Sequence, residues 1–411
     1  MGSIEQMREP LVILLIGVLV VIAIFASSCL KKLGLPSLIG LLLLGILIRF
    51  IDSRTGALTR RAETIFNTLS RLGVICLLFR IGLESDLKGL LKQLKHASFI
   101  WIFDVSLSGF SGFAASHWIL GFGMIPSLFS GIALTATSVG IAVNVWQETG
   151  RIDSKNGKLL IDVAELDDIS GVVIIALLFG IAPHLREGAG VSLLPQIGRS
   201  FGLEILKLLG FGGFCYFFSR FVERKFTLFL RKMERGPGPM ISIAGTAIIM
   251  AALAGILGFS EAIGAFFAGL VFSRDPNAVK METSFEAIYE LLVPFFFIGI
   301  GLSIEPSALE SSVVAGAALL LFAIAGKYIG AGGASLAFTG WGGALLLGTS
   351  MVPRAEIAMI IMLKGKSLGK WAVPPELFGA MAVVSMASCV VMPVVLRALL
   401  KSMPEDGSVN G

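Results

Sequence analysis

Residues 163–171 read VAELDDISG and place two adjacent carboxylates, Asp167 and Asp168, in the middle of an apolar stretch. The rest of the chain is equally apolar: hydrophobic residues make up 55% of the 411 positions, charged residues 15%, and Gly occurs 49 times. This composition is typical of a membrane protein that crosses the bilayer many times, rather than of a soluble enzyme. The two aspartates therefore have to be explained in a solvent that is mostly lipid.

Stretches long enough to cross a membrane recur along the whole sequence. A transmembrane helix needs about 20 mainly apolar residues. The sequence predicts about thirteen such spans, numbered here in chain order: 10–29, 35–50, 66–83, 97–120, 123–147, 158–182, 199–222, 239–257, 260–274, 284–303, 311–338, 342–364 and 373–399. We expect one all-α membrane domain over 1–401 and a short cytoplasmic tail over 402–411.

Basic residues in the loops predict the orientation of the chain. If the amino terminus is outside, more than half of the 33 Lys and Arg residues fall in loops on the opposite side, including Lys88 and Lys92. Such loops face the cytoplasm. The net charge of +5 thus reflects topology, and we expect no nucleic-acid partner because no basic run is interleaved with stacking aromatics. We expect a bacterial inner membrane, no resident metal and no cofactor, since the four Cys lack metal-site or disulfide spacing.

The two halves of the chain resemble each other. The segment IGLLLLGIL, which contains Gly45, reappears as IGAFFAGLV, which contains Gly269. The segment LLFRIGLESDL likewise matches PFFFIGIGLSI and aligns Gly82 with Gly301. These matches pair span two with span nine and span three with span ten, an odd offset of seven spans. The sequence therefore predicts two inverted six-helix repeats on either side of span seven.

Spans five and twelve correspond in this scheme, and both carry polar residues at mid-span. Span five contains LTATSVG over 134–140, with Thr135, Thr137 and Ser138. Span twelve contains SMVPRAEIAM over 350–359, with Pro353, Arg354 and Glu356. Because Pro removes a helix hydrogen bond and polar groups satisfy the backbone so freed, we predict two broken helices. Broken helices expose dipole ends at the bilayer midplane, where an ion can bind. Alternatively, the Thr and Ser hydroxyls only bond to their own helix turns.

One charged residue, Lys327, lies in the middle of span eleven. A buried charge at the bilayer centre is costly, so it is normally paired or lines a water-filled path. We predict that Lys327 pairs with Asp167 or Asp168. Adjacent helical residues point about 100° apart, so the second aspartate would face an ion cavity.

These segments together resemble the monovalent cation/proton antiporters, specifically the Nap/Kef-type branch related to NhaA. The resemblance rests on LPSLIGLLLLGIL, TATSVGIAV, LDDISGVV, IGAFFAGLVFS, FFFIGIGLSI and MVPRAEIAMI, and it covers nearly the whole chain. It implies an NhaA-like fold, a homodimer and an elevator mechanism. The moving core would span about 97–182 and 311–399, and the dimer scaffold about 10–83 and 199–303.

The resemblance also implies roles for individual residues. Asp168 would carry the transported sodium ion and the proton, and Asp167 would be its neighbour, bridged to Lys327. Arg354 and Glu356 would be the charged pair of the second broken helix. The resemblance therefore predicts an antiporter, not an enzyme, that exchanges sodium for protons with net charge movement, with lithium as a second candidate ion.

A departure from the family pattern lies in span six. Glu165 stands where the family usually has a small or aliphatic residue, and Asp162 lies one turn before it. Glu165 either adds a carboxylate to the ion path or is solvated at the cytoplasmic mouth. For the whole chain, potassium/proton exchange and sodium-coupled symport of an organic anion remain as alternatives. An aspartyl protease does not fit, because its two carboxylates come from different helices.

Overall fold

The computed structural model describes residues 2–32, 36–56, 58–84, 94–186, 194–233, 238–258, 260–273 and 282–403. Within these ranges every regular element is a helix. We number the α-helices α1 to α16: Gly2–Lys32, Ser37–Thr55, Arg60–Glu84, Leu94–Ala114, Met124–Thr135, Val139–Glu148, Lys155–Arg186, Leu194–Phe217, Glu223–Met233, Gly238–Ile256, Glu261–Phe272, Glu282–Leu302, Leu309–Lys327, Gly333–Ser350, Glu356–Leu368 and Pro375–Ser402. Lys88, Lys92 and most of the predicted tail lie outside the described residues.

The all-α, multi-pass fold predicted from the sequence is confirmed. A helix occupies each of the thirteen predicted spans, although many helices extend beyond the predicted ends. Helix α3, for example, begins at Arg60, and α7 continues to Arg186. Within the described ranges, eight helical segments are long and apolar enough to cross a membrane, and three shorter apolar helices accompany them.

Two helices are interrupted at the predicted positions. Helices α5 and α6 are separated by 136–138, and α14 and α15 by 351–355. The second break contains Pro353, which has no backbone N–H to continue the helix. Upstream, the chain after Lys327 passes through a wide π-helical turn at Tyr328–Gly332 into α14. That helix bends at Gly340, whose φ of 67° is accessible to Gly at little cost.

The helices form two compact units. The first comprises Met1–Glu84, Cys215–Gly255 and Gly264–Pro306. The second comprises Ser85–Phe214, Ile256–Ile263 and Ser307–Gly411. Both broken helices and all the candidate ion-site residues belong to the second unit.

In the first unit, two helix crossings depend on glycines of the matching segments. A Cβ atom added at Gly45 of α2 would lie 2.8 Å from the Cα of Gly301 in α12. At the other crossing, a Cβ atom added at Gly82 of α3 would lie 3.0 Å from the Cα of Gly269 in α11. Because such distances leave no room for a side chain, the backbones touch directly. The matching segments of the sequence align Gly45 with Gly269 and Gly301 with Gly82. The two glycine pairs are therefore equivalent under this alignment.

In the second unit, α7 packs into an apolar core that positions Asp167. Trp146 of α6 is fully buried among side chains such as Leu160 of α7 and Leu347 of α14. Its indole N–H donates to Ser350 Oγ at 3.0 Å. The last turn of α14 is therefore fixed to α6, beside the two breaks.

Candidate ion-binding site

The two breaks meet and satisfy each other's backbone. The N–H of Ser138, in the first break, donates to the carbonyl oxygen of Pro353 in the second, at 2.8 Å. The Ser138 hydroxyl also donates to Glu356 Oε2 at 2.9 Å. The Thr137 hydroxyl lies 3.3 Å from the carbonyl oxygen of Met351. Polar residues in the first break therefore donate to carbonyl groups of the second break that have no helical partner.

The ammonium of Lys327 is completely buried and has three acceptors. Its Nζ lies 2.5 Å from Asp104 Oδ2, 2.8 Å from the carbonyl oxygen of Thr135 and 3.3 Å from Asp167 Oδ2. An ammonium has three N–H donors, so these three acceptors match its capacity. Thr135 is the last residue of α5. Lys327 therefore also neutralises the negative dipole end of this half-helix.

Small residues bring Asp104 to Lys327. A Cβ atom added at Gly326 would lie 2.4 Å from Ser111 Oγ, and one added at Gly330 would lie 2.9 Å from the Cα of Asp104. Helix α4 consequently lies directly on the face of α13 that carries Lys327. Asp104 is fully buried, and the Ser108 hydroxyl donates to its Oδ1 at 3.3 Å.

Asp167 and Asp168 have different environments. Asp167 is fully buried, and its Oδ2 accepts from the Thr137 hydroxyl at 2.5 Å as well as from Lys327. Its Oδ1 is buried without a hydrogen-bond partner among the described residues. Asp168 is partly exposed, and no hydrogen bond joins its carboxylate to another described residue. Asp167, Glu356 and Glu165 all act on Asp168 electrostatically, so this position concentrates negative charge.

Arg354 is the second fully buried cation. Its Nη1 donates to the carbonyl oxygens of Met351 at 2.7 Å and Pro353 at 3.2 Å, and it lies 3.4 Å from Thr137 Oγ1. These carbonyls follow directly after α14, so Arg354 neutralises the negative end of the second broken helix. Its Nε and Nη2 are buried without a hydrogen-bond partner among the described residues. Each break thus has one buried cation at the end of its first half-helix.

Helix α16 holds the second break in place. The Ser388 hydroxyl accepts from the backbone N–H of Arg354 at 3.0 Å. The Ser385 hydroxyl donates to the carbonyl oxygen of Arg354 at 2.7 Å, and the Cys389 thiol donates to the same oxygen at 3.1 Å. Both backbone groups of Arg354 are therefore paired without a helix.

The structure brings most of the predicted site residues together. Asp167, Lys327, Thr137 and Arg354 are linked by hydrogen bonds or ion pairs. Of the other predicted residues, Thr135 and Pro353 contribute their backbone carbonyls. Ser138 and Glu356 are joined by a side-chain hydrogen bond. Asp168 and Glu165 lie on the same helix as Asp167. Asp104 was not predicted. It is a lone carboxylate in span four, so the rule that drew attention to Lys327 also applies to it.

Comparisons with known proteins identify the family of the chain. The family described as sodium/hydrogen exchanger, transmembrane, matches residues 17–402. The chain is 30% identical to the high-affinity Na+/H+ antiporter NhaS3 of Synechocystis sp. PCC 6803, over 83% of this chain and 73% of that protein. It is 28% identical to a Na+/H+ antiporter of Enterococcus hirae, over 94% of this chain and 98% of that protein.

Further relatives extend the range of cations and show the fold. The chain is 28% identical to the Na+/H+-K+ antiporter GerN of Bacillus cereus, over 89% of this chain and 90% of that protein. The structure of the sodium/proton antiporter MjNhaP1 of Methanocaldococcus jannaschii superposes with a TM-score of 0.61 at 18% identity, covering 94% and 96% of the two chains. The chain therefore belongs to the sodium/hydrogen exchanger family of membrane cation/proton antiporters.

Proposed function

We propose that this protein exchanges sodium ions for protons at Asp167 and Asp168. The observation that carries the proposal is the contrast between the two carboxylates. Asp167 is fully buried and keeps one oxygen without a partner among the described residues, whereas Asp168 is partly exposed beside it. A carboxylate oxygen left open in a buried site is a natural ligand for a desolvated cation. Two of the relatives compared above are named as Na+/H+ antiporters.

The proposed mechanism is competition for one site. A proton neutralises Asp168 when no cation is bound, because an unpaired carboxylate is costly in lipid, whereas Asp167 is paired with Lys327. A sodium ion entering beside Asp168 displaces its proton and attracts Asp167, which weakens the contact with Lys327. Exchange follows if only the loaded protein, with protons or with sodium, changes the side to which the site opens.

Net charge movement is part of the proposal. If two protons exchange for one sodium ion, each cycle moves one charge across the membrane. Each such charge contributes about 2.3 kcal/mol per 100 mV of membrane potential.

We infer an elevator movement in which the second unit carries the site. The broken helices, the aspartates and both buried cations all lie in this unit, so the site can move as one body. We further propose that the first unit forms a homodimer scaffold and that the helices form two inverted repeats. Two crossings support the repeat, that of Gly45 with Gly301 and that of Gly82 with Gly269. The matching segments align each glycine of one crossing with a glycine of the other. We place the protein in a bacterial inner membrane with the amino terminus outside.

Potassium/proton exchange is the second candidate. It is favoured by the similarity to a relative named as a Na+/H+-K+ antiporter. Both candidates use the same carboxylates and differ only in the size of the ion that replaces the proton. Sodium-coupled symport of an organic anion fits less well, since a symporter of that class is expected to lack a lysine facing the aspartates, and Lys327 contacts Asp167 here.

The test uses purified protein in liposomes with a pH-sensitive dye inside. Sodium, lithium, potassium and an organic cation too large for the site are added in turn, with the membrane potential free or clamped. We expect sodium to move protons and the clamp to change the rate. If no monovalent cation moves protons, the proposed exchange is wrong. If potassium alone does so, the second candidate replaces the first.

A further inference from the structure

A second buried carboxylate contacts Lys327, and the exchange described above gives it no role. Asp104 Oδ2 lies 2.5 Å from Lys327 Nζ, closer than Asp167 Oδ2 at 3.3 Å. All three side chains are fully buried. Lys327 thus has two carboxylate partners on different helices, α4 and α7.

The two carboxylates differ in what else they can do. Asp167 has an alternative donor, the Thr137 hydroxyl at 2.5 Å, and a second oxygen without a partner among the described residues. It can therefore move away from Lys327 and still be satisfied. Among the described residues, the only other hydrogen-bond donor to Asp104 is the hydroxyl of Ser108 on the same helix, at 3.3 Å. Its closest partner is Lys327.

The position of Asp104 is fixed by the backbone. Its Cα lies against Gly330, where a Cβ atom would come within 2.9 Å, and Ser111 of the same helix donates to the carbonyl oxygen of Phe322 at 3.1 Å. These contacts hold α4 on α13 on both sides of Lys327. The ion pair between Asp104 and Lys327 therefore joins two helices that are already packed closely.

We propose that Asp104 is a positioning residue of the exchanger, which holds Lys327 throughout the cycle while Asp167 alternates between Lys327 and the transported cation. The proposal deepens the exchange proposed above and rests on it. A buried ammonium that loses its only counter-ion is strongly destabilised. With Asp104 and the Thr135 carbonyl retained, Lys327 keeps two of its three acceptors when Asp167 turns to the cation.

The sodium dependence of exchange tests the proposal in liposomes. In Asp104→Asn, Asp167 becomes the only carboxylate on Lys327 and is harder to detach. We expect the sodium concentration for half-maximal exchange to rise about tenfold or more, equivalent to about 1.4 kcal/mol, with a much smaller effect on the maximal rate. Asp104→Glu should restore part of the affinity. The exposed Asp153 provides a matched control, and Asp153→Asn should leave the sodium dependence unchanged.

A double-mutant cycle separates anchoring of Lys327 from a general loss of negative charge. If Asp104 acts through Lys327, the pair Asp104→Asn with Lys327→Gln should have no larger effect on sodium affinity than Lys327→Gln alone. Additive effects, or a sodium dependence of Asp104→Asn that matches the wild type, would overturn the proposal. Neither result would affect the proposed exchange, which is tested separately by proton movement in the wild-type protein and in Asp168→Asn.

Thermal unfolding provides a second test should Asp104→Asn not fold. Asp167→Asn leaves the ion pair between Asp104 and Lys327 intact, whereas Lys327→Ala strands both carboxylates. We therefore expect Asp167→Asn to lower the unfolding temperature much less than Lys327→Ala. Equal losses in the two variants would make Asp167 the anchor of Lys327 and contradict the role given to Asp104.

Discussion

Ser138 and Pro353 are joined by a backbone hydrogen bond of 2.8 Å between two helices that each break in mid-span. The bond runs from the first break to the second, which lies more than two hundred residues later in the chain. Because Pro353 interrupts its own helix, its surroundings need donors from elsewhere. The two breaks therefore form one structural element, and changes at either break should affect both.

Removing Lys327 should destabilise the protein. Lys327→Ala leaves Asp104 and Asp167 buried without a cation, and stranding one partner of a buried pair costs about 3–5 kcal/mol in soluble proteins. We expect a clearly lower unfolding temperature in detergent. Lys327→Gln with Asp167→Asn should recover only part of the loss, and adding Asp104→Asn should recover more. An unfolding temperature equal to that of the wild type would show that the network does not contribute to stability.

The close approach of α4 to the π-helical turn at Tyr328–Gly332 should tolerate no side chain at Gly330. In Gly330→Ala the new methyl group would meet the Cα of Asp104 at 2.9 Å. The helices must separate, at a cost of about 1–3 kcal/mol. Gly333→Ala is the matched control, since its nearest neighbour would lie 3.9 Å away, an ordinary contact. Thermal unfolding should distinguish the two variants; a control that is as unstable as Gly330→Ala would point to a general effect of Ala in this segment.

The serines of α16 should set the shape of the second break. Ser388→Ala leaves the N–H of Arg354 buried without its acceptor, which costs about 1–3 kcal/mol. We expect lower stability and slower exchange, because Arg354 and Glu356 shift relative to Ser138. Ser367→Ala removes an exposed hydroxyl in α15 and should have little effect. Equal exchange rates in the two variants would remove Ser388 from the account.

The sequence alone predicted much of this architecture. Hydropathy located the thirteen spans, since lipid requires about 20 apolar residues for each crossing. Pro353 and the cluster at Thr137 and Ser138 located the two breaks. Pro removes a helix hydrogen bond, and hydroxyls in mid-span can bond to the backbone groups that a break frees. The lone charge of Lys327 and the adjacent aspartates identified the residues that the structure brings together in the second unit.

Other features depend on packing and could not be derived from local sequence. The contact between Asp104 and Lys327 arises from the way α4 lies on Gly326 and Gly330. The sequence placed Arg354 in the second break but could not show that its guanidinium would bond to the carbonyls that follow α14. In the sequence, Ser385 and Ser388 are small residues of an apolar helix with no sign of a special role. Their role follows from their hydrogen bonds to Arg354 in the break between α14 and α15.

Glu165 should tune the pH dependence of exchange. It lies three residues before Asp168 on α7 and acts on it electrostatically. A second carboxylate disfavours ionisation of both groups at once, and sodium binding relieves the repulsion. We expect Glu165→Ala to keep exchange, to shift its optimum to lower pH and to weaken the apparent sodium affinity. Asp162→Ala, one turn earlier, should do neither. Activity curves of Glu165→Ala that overlay the wild type at every pH and sodium concentration would make Glu165 a solvated residue only.

The central claim is that Asp168 carries the exchanged ions, and Asp168→Asn in liposomes tests it most directly. The Asn side chain matches Asp in shape but can neither release a proton nor provide a negative charge. Sodium is added outside while the internal pH dye is followed, with unfolding temperature and elution volume as checks of folding. We predict that a well-folded Asp168→Asn protein shows no sodium-driven proton movement, while Asp153→Asn exchanges like the wild type. Normal exchange by a well-folded Asp168→Asn protein would contradict the account.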